Sequence, residues 1–204
     1  MCGVMIEEKD EARLKAMKVK DSKLLTKIQR EDLFDKIKDI AKSFEIISTY
    51  PEEVDKAVNG DDGLNLNKLE AVKTAEIINK LNPEKAIIDA PSNNIKSYKE
   101  YLSNLIKNKK IKLILEHKAD LNYVIVGAAS ILAKVTRDRE IELIKKRIKV
   151  DFGSGYMADP KTANFLEKYH EEHAELFRKS WMPYKKMKEK KFQSNLDDFS
   201  NSVK

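Results

Sequence analysis

The hydrophobic positions of this chain fall into short apolar runs separated by longer stretches with helical spacing. The runs cover residues 1–6, 44–50, 86–88 and 111–115, and their length and β-branched content predict strands. Between and after them, apolar residues recur every three or four positions. This spacing predicts helices near 27–41, 67–81 and 95–106, and a long helix after Asp120 that ends at residue 148. This alternation is typical of an α/β fold.

The first long helix has a clear beginning and a clear inner face. Thr26 and Gln29 form a T-x-x-Q capping box, in which each side chain accepts a hydrogen bond from the other residue's backbone amide. We expect its apolar stripe to face the core: Ile28, Leu33, Phe34, Ile37, Ile40 and Ala41. Farther along, Pro51 is expected to end the strand over 44–50, and an acidic loop at 60–63 leads to the next helix.

Two of the predicted strands are followed by a carboxylate. Asp89 comes directly after 86–88, and Asp120 lies five residues beyond 111–115. Sites in open α/β sheets form at the carboxyl ends of strands, and Mg²⁺ prefers oxygen ligands. The pattern therefore indicates metal-assisted chemistry such as phosphodiester hydrolysis, although two carboxylates are few for a pair of metals. The alternative is that each Asp only caps a turn.

The histidines and the standard catalytic motifs add little. His117 either assists Asp120 or is a solvated loop residue. His170 and His173 are spaced i, i+3 in a polar segment, which favours an exposed helix face over a zinc pair. The sequence has no G-x-S-x-G, P-loop or G-x-G-x-x-G, so acyl transfer, Walker-type nucleotide hydrolysis and dinucleotide redox chemistry are disfavoured.

Composition places the chain among intracellular globular proteins. Its 204 residues predict one domain over 1–148 and a C-terminal helical segment with a basic, polar tail over 149–204. Cys2 is the single cysteine, so no internal disulfide forms, and we expect a cytoplasmic location. The longest uncharged stretch, 121–133, is too short to cross a bilayer, so we expect no membrane association.

The charge balance permits a nucleic-acid partner. Forty Lys and Arg residues against 34 Asp and Glu give a net charge of +6. Several cations flank the two Asp positions in sequence: Lys20, Lys23, Lys118, Lys134 and Arg137. Together with Tyr156 on the glycine turn over 153–156, they would suit a groove that grips phosphates and contacts a base or sugar. Solvated lysines and ordinary turn packing of the tyrosine are the alternatives.

Several motifs, in order along the chain, resemble ribonuclease HII, especially its archaeal form. They are Asp21-Ser22-Lys23-Leu24-Leu25, Ile88-Asp89-Ala90, His117-Lys118-Ala119-Asp120, residues 128–139 and Gly153-Ser154-Gly155-Tyr156. The resemblance implies an RNase H-like mixed β-sheet flanked by helices, with a C-terminal helical extension. It also implies endonucleolytic cleavage of RNA in RNA/DNA hybrids and at ribonucleotides embedded in duplex DNA, with Mg²⁺ or Mn²⁺ held by four carboxylates.

The same resemblance assigns roles to particular residues. Asp89 and Asp120 match the third and fourth carboxylates and are expected to be catalytic metal ligands. The nucleic-acid-binding residues are expected to be Lys20, Ser22, Lys23 and Lys134 as phosphate contacts and Tyr156 as a sugar or base contact. We expect the protein to be a monomer whose partner is the hybrid or ribonucleotide-containing duplex.

One part of the family pattern is missing from this sequence. The first two carboxylates belong to a motif Asp-Glu-Ala-Gly-Arg-Gly after the family's first strand, and this chain has no such motif. Residues 1–4 instead resemble the second strand. We therefore expect a chain without the first strand and with impaired cleavage. A catalytically inactive nucleic-acid-binding protein, or a fragment without function, is the alternative.

Overall fold

A computed structural model describes residues 1–19 and 25–189 of the chain. Within these ranges the strands are β1 (Cys2–Met5), β2 (Ser43–Ile46), β3 (Lys85–Asp89) and β4 (Lys112–Glu116). The α-helices are α1 (Glu11–Ala16), α2 (Lys27–Ile40), α3 (Pro51–Asn59), α4 (Leu66–Leu81), α5 (Ile95–Leu105), α6 (Ala119–Asn122), α7 (Val124–Ile148) and α8 (Pro160–Tyr169). Residues 182–189 are also helical.

The chain divides into two compact units, and each is built from two stretches of sequence. Unit one comprises residues 1–48 and 66–140, and unit two comprises residues 49–65 and those from 141 onward. All four strands given above belong to unit one. The sequence-based division at residue 148 stays a prediction.

The strands of unit one form one antiparallel and one parallel pair. In the antiparallel pair, Cys2 of β1 lies opposite Ile46 of β2. In the parallel pair, Lys85 lies opposite Lys112, and the register ends with Asp89 opposite Glu116. Mixed strand directions with flanking helices are the α/β class that the sequence predicted. The parallel pair also puts the carboxyl ends of β3 and β4 side by side.

The β1–β2 pair is covered by helices on both faces. One face packs on a core formed by α1, α2 and α7, which Val4 and Phe44 contact; the buried members of this core are Leu14, Val19, Leu33, Phe34, Ile37, Ile40, Ala128, Ile131, Leu132 and Val135. On the other side α4 comes so close at Gly3 that an added Cβ would lie 2.3 Å from Cγ2 of Ile77. Glycine is needed there because no side chain fits.

A second core supports the parallel strands. It joins α4, α5 and β3, with Ile88, Leu113 and Leu115 packed against it; its buried members are Ala71, Ala75, Ile78, Ala86, Tyr98, Leu102, Ile106 and Ile111. On α4 the small Ala71 and Ala75 face this core, whereas the larger Val72 is only half-buried. Because small residues let elements approach closely, α4 packs tightly on this core.

The capping prediction for α2 is confirmed, but the predicted stripe is partly wrong. The amide of Gln29 donates to Oγ1 of Thr26, and the amide of Thr26 donates to Oε1 of Gln29. Ile28, however, is 83% exposed. It is the second residue of the helix, and the inward face begins one turn later, at Leu33 and Phe34.

The prediction for the segment after β2 also needs correction. The strand ends at Ile46 instead of continuing to residue 50, and Pro51 begins α3. Proline at the first helical position lacks only an amide that would have no helical partner, so it can start a helix as well as stop a strand. Helix α3 was not predicted from the sequence.

Unit two contains the glycine turn and the segment with the two histidines. Gly153 and Gly155 both have φ of +75°, and Asp159 caps α8 by accepting a hydrogen bond from the Lys161 amide. The expected exposed helix face around His170 is wrong. The helix ends at Tyr169, and His170 is only 4% exposed, with its ring edge-on to Tyr184.

No helix over residues 1–19 and 25–189 combines the length and apolar character needed to cross a membrane.

Candidate active site at the ends of β3 and β4

Two strand ends and one backbone contact define the candidate site. Asp89, the last residue of β3, is exposed and lies directly opposite Glu116, the last residue of β4. Oδ1 of Asp89 accepts a hydrogen bond from the backbone amide of Ala119, at 3.2 Å. Ala119 immediately precedes Asp120, so this bond holds the chain around the two aspartates together.

The segment from β4 to α6 turns sharply to reach this position. The exposed His117 donates from Nδ1 to the carbonyl oxygen of Ala90, at 3.1 Å, so it ties the segments after both strands to each other. Lys118 then adopts a left-handed backbone conformation, with φ of +56°, which is uncommon for a residue with a side chain. The turn starts α6, and Asp120 lies half-buried in its first turn.

Glu116 is a further residue of the candidate site, and it was not predicted from the sequence. Its Oε1 accepts a hydrogen bond from the Tyr123 hydroxyl at 2.5 Å, and its Oε2 accepts one from Nδ2 of Asn122 at 3.2 Å. The hydrogen bond to Glu116 raises the pKa of Tyr123, so the phenol remains a donor at neutral pH. Glu116 therefore fastens the end of α6 to the end of β4. Glu116 lies opposite Asp89, but this pairing can be seen only in the register of β3 and β4 and not in the sequence.

The donor set fits a hard divalent cation in kind but not in number. Asp89 and Asp120 supply carboxylate oxygens, the ligands that Mg²⁺ and Mn²⁺ prefer. Across residues 1–19 and 25–189, no group of three or more His, Cys, Asp or Glu side chains is arranged to hold a metal ion. The described residues thus offer two carboxylates of the four that the family resemblance implies.

The predicted nucleic-acid contacts are found in different parts of the chain. Lys134, on α7 in unit one, binds Oδ1 of Asp138 through Nζ at 2.9 Å. Tyr156 belongs to unit two and is 49% exposed on its glycine turn. Lys20, Ser22 and Lys23 lie outside the described residues.

Comparison with known proteins identifies the family. The family model described as Ribonuclease HII matches residues 1–184. The chain belongs to the ribonuclease HII family. It is similar to the ribonuclease HII of Pyrococcus furiosus, with 41% identity over 206 aligned residues that cover 96% of this chain and 88% of the relative. The resemblance inferred from the motifs is therefore confirmed.

Solved structures of the family share the fold. The structure of ribonuclease H2 from Pyrococcus horikoshii matches with a TM-score of 0.79 and 38% identity, covering 91% of this chain and 87% of that one. The ribonuclease HII of Archaeoglobus fulgidus, solved in complex with PCNA, matches with a TM-score of 0.70 and 36% identity, covering 82% and 76%. A Bst-RNase HIII structure in complex with Mn²⁺ has the same fold at 21% identity, with a TM-score of 0.71 and coverage of 91% and 62%.

Membership of the ribonuclease HII family fixes the class of protein. The fold is RNase H-like, and the protein is a hydrolase of the ribonuclease H type, an endonuclease that acts on nucleic acid.

Proposed function

We propose that this chain cleaves the RNA strand of RNA/DNA hybrids and ribonucleotides embedded in duplex DNA, using Asp89 and Asp120 as metal ligands. The observation that carries the proposal is the hydrogen bond from the Ala119 amide to Asp89, because it links the residue before Asp120 to the carboxylate at the end of β3. The family match supports the reaction class.

The metal in this proposal is Mg²⁺ or Mn²⁺. Such ions lower the pKa of an attacking water and stabilise the leaving oxygen in phosphodiester hydrolysis. Asp89 and Asp120 would hold the ion, and Glu116 would position the helix that carries Asp120, since both of its own oxygens already accept hydrogen bonds. The Mn²⁺ complex of the related fold supports this choice of metal.

We also propose that the 204-residue chain cleaves poorly by itself. It lacks the Asp-Glu-Ala-Gly-Arg-Gly motif that supplies two of the four carboxylates in the family pattern. Loss of residues that merely support metal ligands costs up to about 100-fold in activity or metal affinity, so the loss of two ligands should cost more than that.

A nuclease assay tests both statements. The 204-residue chain, and the same chain preceded by a strand that ends in Asp-Glu-Ala-Gly-Arg-Gly, are each given a DNA duplex containing one ribonucleotide, in Mg²⁺ and in Mn²⁺. We expect the extended protein to cleave and the shorter chain to cleave at least ~100-fold more slowly. Equal rates would show that the added motif is dispensable.

Substitutions in the extended protein test the two ligands. Asp89→Asn and Asp120→Asn should each abolish most of the cleavage. Asp32→Asn is the matched control, because Asp32 is an exposed carboxylate of α2 that pairs with Lys36. Full activity of either variant removes that residue from the metal site. If the extended protein binds the hybrid but cleaves it in neither metal, the alternative of an inactive nucleic-acid-binding protein replaces the nuclease.

We propose Lys20, Ser22, Lys23 and Lys134 as phosphate contacts and Tyr156 as a sugar or base contact. Replacing the three lysines together with Gln should weaken binding to any duplex and flatten its salt dependence by about 0.9 per lost phosphate contact. Tyr156→Ala should lower turnover by the extended protein and leave the salt slope unchanged. A lower melting temperature with normal turnover would instead assign Tyr156 to turn packing.

We further propose PCNA as a protein partner and the C-terminal tail as the segment that binds it. The PCNA complex of the Archaeoglobus relative supports the partner. Within the tail, Phe192, Leu196 and Phe199 are spaced i, i+4 and i+7 in an otherwise polar stretch, a pattern used by peptides that dock in apolar grooves.

Calorimetry with PCNA from the same organism tests the tail. Replacing Leu196 and Phe199 with Ala should abolish binding, whereas replacing Ser194 and Asn195 with Ala should not. Equal binding by both double variants would remove the tail from the interface. With these partners, we propose a cytoplasmic monomer that works in DNA replication and RNA removal and has no membrane contact.

A further inference from the structure

Helix α7 presents two different faces within unit one. Ala128, Ile131, Leu132 and Val135 follow i, i+3, i+4, i+7 spacing and are at most 2% exposed in the first core. Lys134, Arg137 and Asp138 share another face, since they follow i, i+3, i+4 spacing. The metal-site proposal uses neither Arg137 nor Asp138.

Three cationic side chains meet at Asp138. Its Oδ1 accepts hydrogen bonds from Nζ of Lys134 at 2.9 Å and from Nη1 of Arg137 at 3.2 Å. Its Oδ2 lies 3.5 Å from Nη2 of Arg30, which comes from α2. Together these four side chains carry three positive charges and one negative charge.

Asp138 is well suited to fix the positions of these cations. Its side chain is 16% exposed, and burial alone would raise its pKa. Hydrogen bonds and charge from Lys134 and Arg137 outweigh burial and hold the pKa of Asp138 below its usual range, so the carboxylate is ionised at neutral pH. Because side chains held in place lose less freedom on binding, a fixed cluster binds an anion better than loose lysines and arginines do.

The cluster also anchors the chain next to the predicted phosphate contacts. Nη1 of Arg30 donates to the backbone carbonyl of Leu25 at 2.5 Å, and Leu25 packs against the first core. Residues 20–24, which include Lys20, Ser22 and Lys23, directly precede Leu25 in the sequence. Through Arg30, Asp138 thus helps to fix the point at which that segment joins α2.

We propose that Asp138 is a positioning residue that assembles Arg30, Lys134 and Arg137 into a phosphate-binding cluster for a nucleic-acid duplex. In this cluster Arg137 joins Lys134 as a cation that contacts the nucleic-acid backbone, since their side chains are 32% and 26% exposed. Arg30, whose side chain is only 13% exposed, holds Asp138 in place from α2. The proposal rests on the proposed function in one respect, namely that the partner is a nucleic acid. It does not depend on metal binding or cleavage.

The substitution Asp138→Asn distinguishes a positioning role from a purely electrostatic one, because the two predict opposite changes in affinity for nucleic acid. It removes one negative charge, so electrostatic attraction alone predicts tighter binding to a polyanion. If Asp138 positions the cations, binding should instead weaken, by roughly three- to tenfold. The measurement is fluorescence anisotropy of the 204-residue chain with an RNA/DNA hybrid and with plain duplex DNA, in EDTA and at several salt concentrations.

Asp32→Asn is the matched control for this experiment. It makes the same change of charge on an exposed carboxylate that also pairs with a lysine, Lys36. We expect it to leave binding unchanged or slightly tighter. If Asp138→Asn binds as tightly as the unmodified chain or tighter, the positioning role is wrong.

A second variant keeps the test decisive if Asp138→Asn does not fold. Arg137→Gln removes one cation and leaves Asp138 in place, and it should weaken binding and reduce the logarithmic salt slope by about 0.9. Arg147→Gln, at an exposed arginine farther along α7, should change the affinity and slope less. Equal effects of the two substitutions would overturn the cluster.

The outcomes for the cluster and for the nuclease can be told apart. A chain that binds both duplexes through the cluster but never cleaves in its extended form refutes the nuclease only. A chain that binds neither duplex refutes the cluster and the proposed nucleic-acid partner together.

Discussion

Single residues at tight backbone positions show most clearly how this sequence specifies its local structure. Gly153 combines a positive φ with a neighbour so close that an added Cβ would lie 2.3 Å from Oδ2 of Asp159. That carboxylate oxygen also accepts the Ser154 amide, and Oδ1 of Asp159 caps α8 through Lys161. Gly63 has a similar φ, +68°, but nothing lies within 4 Å of its added Cβ.

The two glycines therefore make a matched pair of substitutions. Gly63→Ala should cost about 1 kcal/mol, for the left-handed backbone alone. Gly153→Ala should cost about 2–4 kcal/mol, since the methyl group also displaces the cap of α8. Chemical denaturation of both variants measures the difference, and equal losses would show that the contact with Asp159 does not constrain the turn.

Asp55 provides a test of pH dependence. Burial tends to raise its pKa, but hydrogen bonds from the amide and hydroxyl of Ser180 and from the Lys179 amide hold the pKa below its ordinary value. A carboxyl whose pKa is lower in the folded state stabilises the fold above its unfolded pKa, which is about 4, and this stabilisation is lost as the pH falls through the folded pKa.

Asp55→Asn should therefore destabilise the protein at pH 7, by about 1 kcal/mol once solvent screening is allowed for. The difference from the unmodified chain should shrink as the pH falls below about 4. Thermal melts at several pH values measure it, with Asp61→Asn, at an exposed carboxylate of the same unit, as the control. A difference in stability that does not change with pH would contradict a lowered pKa of Asp55 in the folded protein.

At the scale of elements, α2 shows what a hydrophobic pattern predicts and where it stops. Ile37 is fully buried, whereas Ile28 is 83% exposed. Ile37→Ala should cost about 2–5 kcal/mol, while Ile28→Ala should change the free energy of unfolding by less than about 0.5 kcal/mol. Urea denaturation measures the free energy of unfolding of both variants. A loss for Ile28→Ala as large as that for Ile37→Ala would show that Ile28 packs in an interface.

Local signals account for most of the fold that was predicted from the sequence. The capping residue Thr26 marks the start of α2 correctly, because a cap depends on residues only a few positions away. The start of α3 at Pro51 was missed, because proline both ends strands and begins helices. The burial of His170 was missed because its ring lies past the end of α8 and packs edge-on against Tyr184, a contact that the helical spacing does not show.

The candidate site was likewise predicted only in part from the sequence. The positions of Asp89 and Asp120 after two strands are visible in the sequence, since each follows an apolar run. Contacts between residues far apart in the sequence were not predicted: Glu116 lies opposite Asp89 through the strand register, and Arg30 meets Asp138 across 108 residues. Such contacts exist only once α2, α7 and the strands have packed.

At the scale of the whole molecule, the family match makes the chain a ribonuclease of the HII family, and we propose that Asp89 and Asp120 supply two of its four catalytic carboxylates. The Ala119 amide links Asp89 to the residue before Asp120, and separately three cations contact Asp138. We propose metal binding for the first group and nucleic-acid binding for the second, and each can be measured without cleavage.

The central claim is that Asp89 and Asp120 hold the divalent cation. Electron paramagnetic resonance of Mn²⁺, titrated with the 204-residue chain in the presence of hybrid duplex, measures this directly. The account predicts a bound fraction that Asp89→Asn and Asp120→Asn each reduce, with affinity lower by about tenfold or more, and that Asp32→Asn leaves unchanged. Mn²⁺ binding that persists undiminished in both the Asp89→Asn and Asp120→Asn variants would contradict it.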